Sequence, residues 1–97
     1  MELEFSGKVW FWRGPAPFYF VSVPDEWCAE VRDAAEVVSY GWGMVPVQAR
    51  IGGTAWSTAL FPKDGTYAVP LKAAVRTREN IDEGDNVALQ LRIHGVY

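Results

Sequence analysis

Nucleophilic and general-base chemistry has little to draw on in this sequence, which holds one histidine, His94, and one cysteine, Cys28. A two-histidine metal site or a His-paired cysteine nucleophile would need other residue types as substitutes. His94 falls on the polar face of the last alternating stretch, beside Gln90 and Arg92, and reads as a surface histidine. Cys28 adjoins Trp27 at the edge of an apolar helical stripe, where a small buried thiol is the ordinary outcome, and the acids around it give a thiolate no support. The carboxylate pairs Asp25-Glu26 and Asp82-Glu83 are sequence neighbours that point in different directions, and helix-dipole and turn chemistry account for both. Gly41-Trp42-Gly43 matches neither a phosphate-binding loop nor a dinucleotide fingerprint. The sequence therefore calls for no catalytic residue, no metal ligand and no cofactor.

Two features point to binding instead. Lys72 and Arg76 stand four apart, on one side of a short helix, with Arg78 and Arg50 as candidate neighbours, and such a cluster can hold a phosphate or carboxylate. The ordinary alternative is an ion pair from Arg76 to Asp85 or Glu79 that ties the fold together. Trp10 and Trp12 share a strand face with Lys8 and Glu4, opposite the face that reads as core. An indole buries ~150–250 Å² when covered, so two of them standing in water call for an explanation. Cover by the helix that carries Trp27, or by the Tyr40 to Trp42 loop, is the intramolecular explanation; a ligand groove or a dimer seam is the functional one.

These side chains need strands to hold them. In residues 2–12, Leu3, Phe5, Gly7, Val9 and Phe11 alternate with Glu2, Glu4, Ser6, Lys8, Trp10 and Trp12, which predicts a strand. Arg13-Gly14-Pro15-Ala16-Pro17 turns it back into Phe18–Ser22, a hairpin. Pro24, followed by Asp25 and Glu26, starts a helix predicted to run from about 24 to 38, with Trp27, Val31, Ala34 and Val38 as its apolar stripe. Alternation resumes over Val45 to Ile51, where Pro46 argues for an edge or a bulge. Gly52-Gly53 turns into Thr54–Phe61, Asp64-Gly65 turns into Tyr67–Leu71, and a short helix is predicted at about 72 to 79. Gly84-Asp85 then leads into the last strand, with Val87, Leu89, Leu91 and Ile93 on one face. Six short strands joined mostly by hairpins predict a mainly β fold, a small closed six-stranded β-barrel with the first helix plugging or covering one open end. A sheet with the helix packed on one face is the alternative.

A chain of 97 residues has the size of one domain. No apolar run approaches the ~20 residues a membrane helix needs, and the acidic start MELEFSGK lacks the pattern of an export signal, so the expected compartment is the cytoplasm. A lone cysteine suits that compartment. The net charge of −3 argues against a nucleic-acid partner. The charge is uneven, −4 over residues 1–48 and +1 over the rest, which reads as a solvated acidic helix or as unlike faces that could self-associate. The unusual count is aromatic: five Trp, four Tyr and five Phe.

Residues 51–91, with Ile51-Gly52-Gly53, Trp56, Thr58, Phe61-Pro62, Asp64-Gly65, Pro70, Lys72, Arg76 and Gly84-Asp85 in that order, together with the earlier FSGKVWFW and VSVPDEW segments, carry a resemblance over nearly the whole chain. They resemble the prokaryotic domain-of-unknown-function family of small closed β-barrels, whose members occur alone or ahead of a bacteriocin-protection (OmpD-associated) type domain. The resemblance implies a barrel and supplies no settled activity; ending at Tyr97, this chain is expected to lack the second domain. A weaker likeness is to the transition-state-regulator class of DNA-binding hairpins, through Val69-Pro70-Leu71-Lys72, Arg76 and Gly84-Asp85. That order speaks for a fold element, because those regulators need a basic surface.

The expected function is that of a non-enzymatic module for a small-molecule ligand, another protein or a second copy of itself. Its expected surface is an aromatic-lined face or barrel mouth around Trp10, Trp12, Tyr40, Trp42 and Trp56, with Arg50, Lys72 and Arg76 as anion contacts. An enzyme with an unrecognised carboxylate and arginine site is the alternative, and a nucleic-acid-binding regulator the third reading.

Overall fold

The computed structural model describes residues 1–14, 18–38 and 43–93. Tyr40, Trp42, His94 and the Pro15 to Pro17 turn therefore lie outside the described residues. The elements run β1 (Glu2–Trp12), β2 (Phe18–Ser22), α1 (Asp25–Val38), β3 (Val45–Ile51), β4 (Thr54–Lys63), β5 (Thr66–Leu71), α2 (Ala73–Glu79) and β6 (Asn86–Arg92). Both helices begin one residue inside the predicted bounds. Pro24 precedes α1 and accepts the Trp27 N–H through its carbonyl, while Lys72 stays extended as the N-cap of α2. Asn80, at φ 56°, ends α2 in the left-handed conformation.

The strands form a closed barrel in the order β1-β2-β5-β4-β3-β6, with every neighbouring pair antiparallel. Two long strands close it by changing neighbours part-way. Residues Glu2 to Lys8 of β1 pair with β6, and Val9 to Trp12 pair with β2. In the same way Thr54 to Leu60 of β4 pair with β3, and Phe61 to Lys63 pair with β5. Pro62 does not end β4, as the sequence suggested; it pairs with Tyr67 just before the Asp64-Gly65 turn, whose two residues both take positive φ as a two-residue hairpin requires. Pro46 lies beyond the β3–β6 ladder, which covers only Gln48 to Arg50, so no pairing on that side needs its missing N–H.

Alternation directs Leu3, Val9, Val21, Val45, Val47, Leu60, Val69, Leu71, Leu89 and Leu91 into the interior. α1 packs on β3 and β5 at the end of the barrel where β5 begins, burying Cys28, Val31 and Ala34. Its stripe is rotated from the expected one: Cys28 is buried and Trp27 only partly so. The Cys28 thiol lies 2.9 Å from the Thr66 hydroxyl, which donates to the Val23 carbonyl at 3.0 Å and so ties the helix start to β5. α2 follows Leu71 at the other end of β5, packs on β4 and buries Val75. The two helices thus serve opposite ends of the barrel.

Candidate functional site

The alternation that fills the interior with aliphatic side chains sends the remaining residues to the outer surface, and the register decides which of these meet. Trp10 pairs with Phe20, Trp12 with Phe18, and Phe20 in turn with Pro70. These outward residues form one wall of rings around Phe20, which is 7% exposed. The Trp10 indole stacks on Phe20 at 5.0 Å between ring centres, Phe18 lies 5.5 Å away, and Phe61, from β4, meets Phe20 edge-on at 6.1 Å. Trp12 is tilted against Phe20 at 6.4 Å, and the Lys63 ammonium sits 5.7 Å from an indole ring centre of Trp12. Trp10 Nε1 donates to the Ser22 hydroxyl at 3.0 Å, which satisfies the indole at the surface.

The centre of this wall is covered and its rim is open: Trp12, Phe18 and Phe61 are 41%, 37% and 39% exposed. Phe20 of the next strand covers one face of Trp10, while the Tyr40 to Trp42 loop, the other expected intramolecular cover, lies outside the described residues. A shallow groove of about 360 Å³ adjoins the rings, lined by Trp10, Ser22, Lys63, Asp64, Thr66 and Ala68.

The opposite wall, over β1, β6 and β3, is polar. A larger concavity of about 470 Å³ runs along it between Glu2 and Glu4 on one side and Gln48 and Arg50 on the other, with Gln90 and Arg92 between. Cross-strand rows account for its chemistry: Glu2 faces Arg92 and Arg92 faces Gln48, while Glu4 faces Gln90 and Gln90 faces Arg50. Arg92 donates two hydrogen bonds to Glu2 Oε1, at 2.8 and 3.1 Å, and this guanidinium holds the Glu2 carboxyl below the usual carboxylate range. Gln48 donates to Ser57 at 2.5 Å.

At the α2 end of the barrel the ion pair expected as the ordinary alternative for Arg76 is not formed. Arg76 pairs with neither Asp85 nor Glu79: Asp85 Oδ2 accepts the Asp82 N–H at 2.8 Å, and Glu79 Oε2 accepts the Thr54 hydroxyl at 2.5 Å. Its guanidinium carbon lies instead 3.5 Å from the ring centre of Tyr19, which stacks on Phe11 at 4.8 Å. Trp56 does not join the aromatic wall; it faces the interior opposite Ala49, 7% exposed, because the even positions of β4 point inward. Arg50 stands on the polar wall, on a different element from Lys72 and Arg76. Of the expected binding residues, then, the structure brings together Trp10 and Trp12, and places Arg76 on α2 with Lys72 at its N-cap. Phe18, Phe20, Phe61 and Lys63 complete the wall and were not singled out in the sequence. The signal available was the alternation of β2, which places Phe18 and Phe20 on one face.

Together these features define a closed antiparallel six-stranded barrel, capped by helices, with one aromatic and one polar outer wall. Residues 5–91 match the model of the family described as domain of unknown function (DUF1905), and the chain belongs to that family. A search of curated proteins finds no match. No helix among the described residues is long and apolar enough to cross a membrane, and no group of three or more His, Cys, Asp or Glu among them could hold a metal ion.

Proposed function

We propose that the chain is a non-enzymatic interaction module that receives an apolar segment of a partner protein on the aromatic wall. The observation that carries this is the contiguous set of half-open rings, Trp12, Phe18 and Phe61, about the covered Phe20. These three side chains leave roughly 200–300 Å² of ring surface open. A standard stable interface takes about 800 Å² from each partner, so the patch suits a short segment in a transient contact better than a permanent dimer. Lys63 borders the rings, exposed Lys8 precedes Trp10 on β1 and exposed Arg13 follows the strand's last residue, Trp12, so a carboxylate flanking the apolar residues of the segment would be matched in charge. The same reading takes the chain as a prokaryotic, cytoplasmic single domain, of the kind found alone or beside a bacteriocin-protection type domain.

Native mass spectrometry of the protein purified from its own host tests this, with Trp12→Ser and Phe61→Ser prepared singly. A polypeptide that accompanies the wild type, is released as salt is raised and is lost from both variants supports the proposal. A complex retained by both variants, a small molecule in place of a polypeptide, or a homodimer held through the same rings overturns it.

A further inference from the structure

We propose a second binding site, for a small molecule bearing a carboxylate or phosphate group, at the α2 end of the barrel, with Arg76 as its main contact and Lys72 as its second. The ordinary use of Arg76 is an ion pair, yet the two acids placed to supply one are engaged by Asp82 and Thr54. Neither ion pair formed among the described residues involves Arg76 or Lys72. The Arg76 Nε is buried and has no acceptor. Leaving a guanidinium donor unpaired out of water is costly, and an acceptor brought to Arg76 would relieve that cost.

The geometry says what kind of acceptor. With one face of the guanidinium on the Tyr19 ring, its in-plane N–H groups remain to pair with a planar carboxylate or a phosphate, a fork that lysine does not offer. Lys72, the exposed N-cap one turn earlier, adds a point charge. A second orphaned donor lies on the strand under the same helix: the buried Trp56 Nε1 also has no acceptor, two residues along β4 from the Thr54 that holds Glu79. Both orphans are donors, so what is missing is an acceptor. The wider field agrees, since the segment from Lys72 to Glu79 carries a net +2 and α1, at the opposite end, a net −4.

NMR titration of ¹⁵N-labelled protein at low ionic strength tests the site, with inorganic phosphate in one arm and succinate in the other. The readout is the Nε–H of Arg76 and the indole N–H of Trp56. The expected result is a saturable shift of the Arg76 Nε–H in at least one arm, and the arm that saturates first names the group. Arg76→Lys keeps the charge and loses the fork, and should weaken binding about tenfold. Lys72→Gln should weaken it about threefold, and Arg92→Gln, on the polar wall, should leave it unchanged. No saturation in either arm, or equal affinity in Arg76→Lys, overturns the proposal. If Arg76→Lys does not fold, Lys72→Gln decides in its place, and unchanged affinity in that variant overturns it.

Discussion

One strand carries both outer walls of this barrel, and the contrast between its halves separates what a face is from what it does. The outward residues of β1 are Glu2, Glu4, Ser6 and Lys8 where β6 is the neighbour, then Trp10 and Trp12 where β2 takes over. The inward face carries no charged or polar side chain along its length, with Leu3 and Val9 fully buried and Phe5 and Phe11 partly so. Folding therefore constrains one face of the strand continuously, while the other face changes character when the neighbour changes. On the polar wall the side chains that meet partners satisfy one another: Glu2 takes Arg92, and Gln48 takes Ser57. On the aromatic wall the rings pack around Phe20 and still leave three of their number half in water. A polar wall can be finished by its own pairs and by solvent; on the aromatic wall the open rings are where the proposed partner segment would sit.

The largest effect should come from the ring at the centre. Phe20 touches Trp10, Trp12, Phe18 and Phe61, so Phe20→Ala should cost about 3–5 kcal/mol of unfolding free energy by urea denaturation. A cost under 1 kcal/mol would mean that the wall is mere decoration on the barrel, and the contrast with the polar wall would lose its structural meaning.

Next comes the seam between the walls. Gly7 is the inward residue of β1 just before its neighbour changes, and a Cβ built there would lie 2.7 Å from Val21 Cγ1. Val21 is fully buried and β-branched, so it has little room to give. Gly7→Ala should cost about 1–3 kcal/mol through overpacking, read by the same denaturation. A stabilised Gly7→Ala would show that β1 shifts freely there, and that the two walls are not fixed relative to each other.

Trp12→Ser should cost less than Phe20→Ala, about 1–2 kcal/mol, because two-fifths of the side chain is already in water and the unfolded chain covers part of the rest. Its main effect should fall on binding. A Trp12→Ser variant as destabilised as Phe20→Ala would reclassify the rim as core, and leave the wall no open side for a partner.

Much of this architecture was legible in the sequence, and the parts that were not share a cause. Period-two patterns and the Gly52-Gly53 and Asp64-Gly65 turns marked the strands, and Pro24 marked α1, because these are local signals. The partnership of Phe61 with Phe20 was not legible, since it crosses β5 and depends on the closed order of strands. Trp56 was misplaced for a different reason. Along β4 the inward set Thr54, Trp56, Thr58 and Leu60 is no more apolar in pattern than the outward set Ala55, Ser57, Ala59 and Phe61, so alternation alone does not choose the face. For Arg76 the sequence left two outcomes, an anion contact or an ion pair to Asp85 or Glu79; those acids accept from Asp82 and Thr54, and Arg76 lies on the Tyr19 ring, a long-range contact that no local pattern announces.

The smallest effect should be on the polar wall, where the Glu2–Arg92 pair is the most complete charge interaction among the described residues and is still open to solvent. Exposed pairs are weak and screened, so Arg92→Gln should leave the urea midpoint nearly unchanged at physiological salt. The pH dependence has a definite sign nonetheless. Glu2 has its folded-state pKa lowered, first by the hydrogen bonds from Arg92 and then by its charge. The pair therefore contributes stability above the unfolded carboxylate pKa, and that contribution is lost as the pH falls through the lowered folded value. Wild type and Arg92→Gln should thus differ slightly near neutrality at low salt and converge in acid. Divergence in acid instead would mean that Arg92 acts through something other than Glu2. A large neutral-pH difference would make the polar wall as structural as the ring cluster, which is the result that would undo the contrast between them.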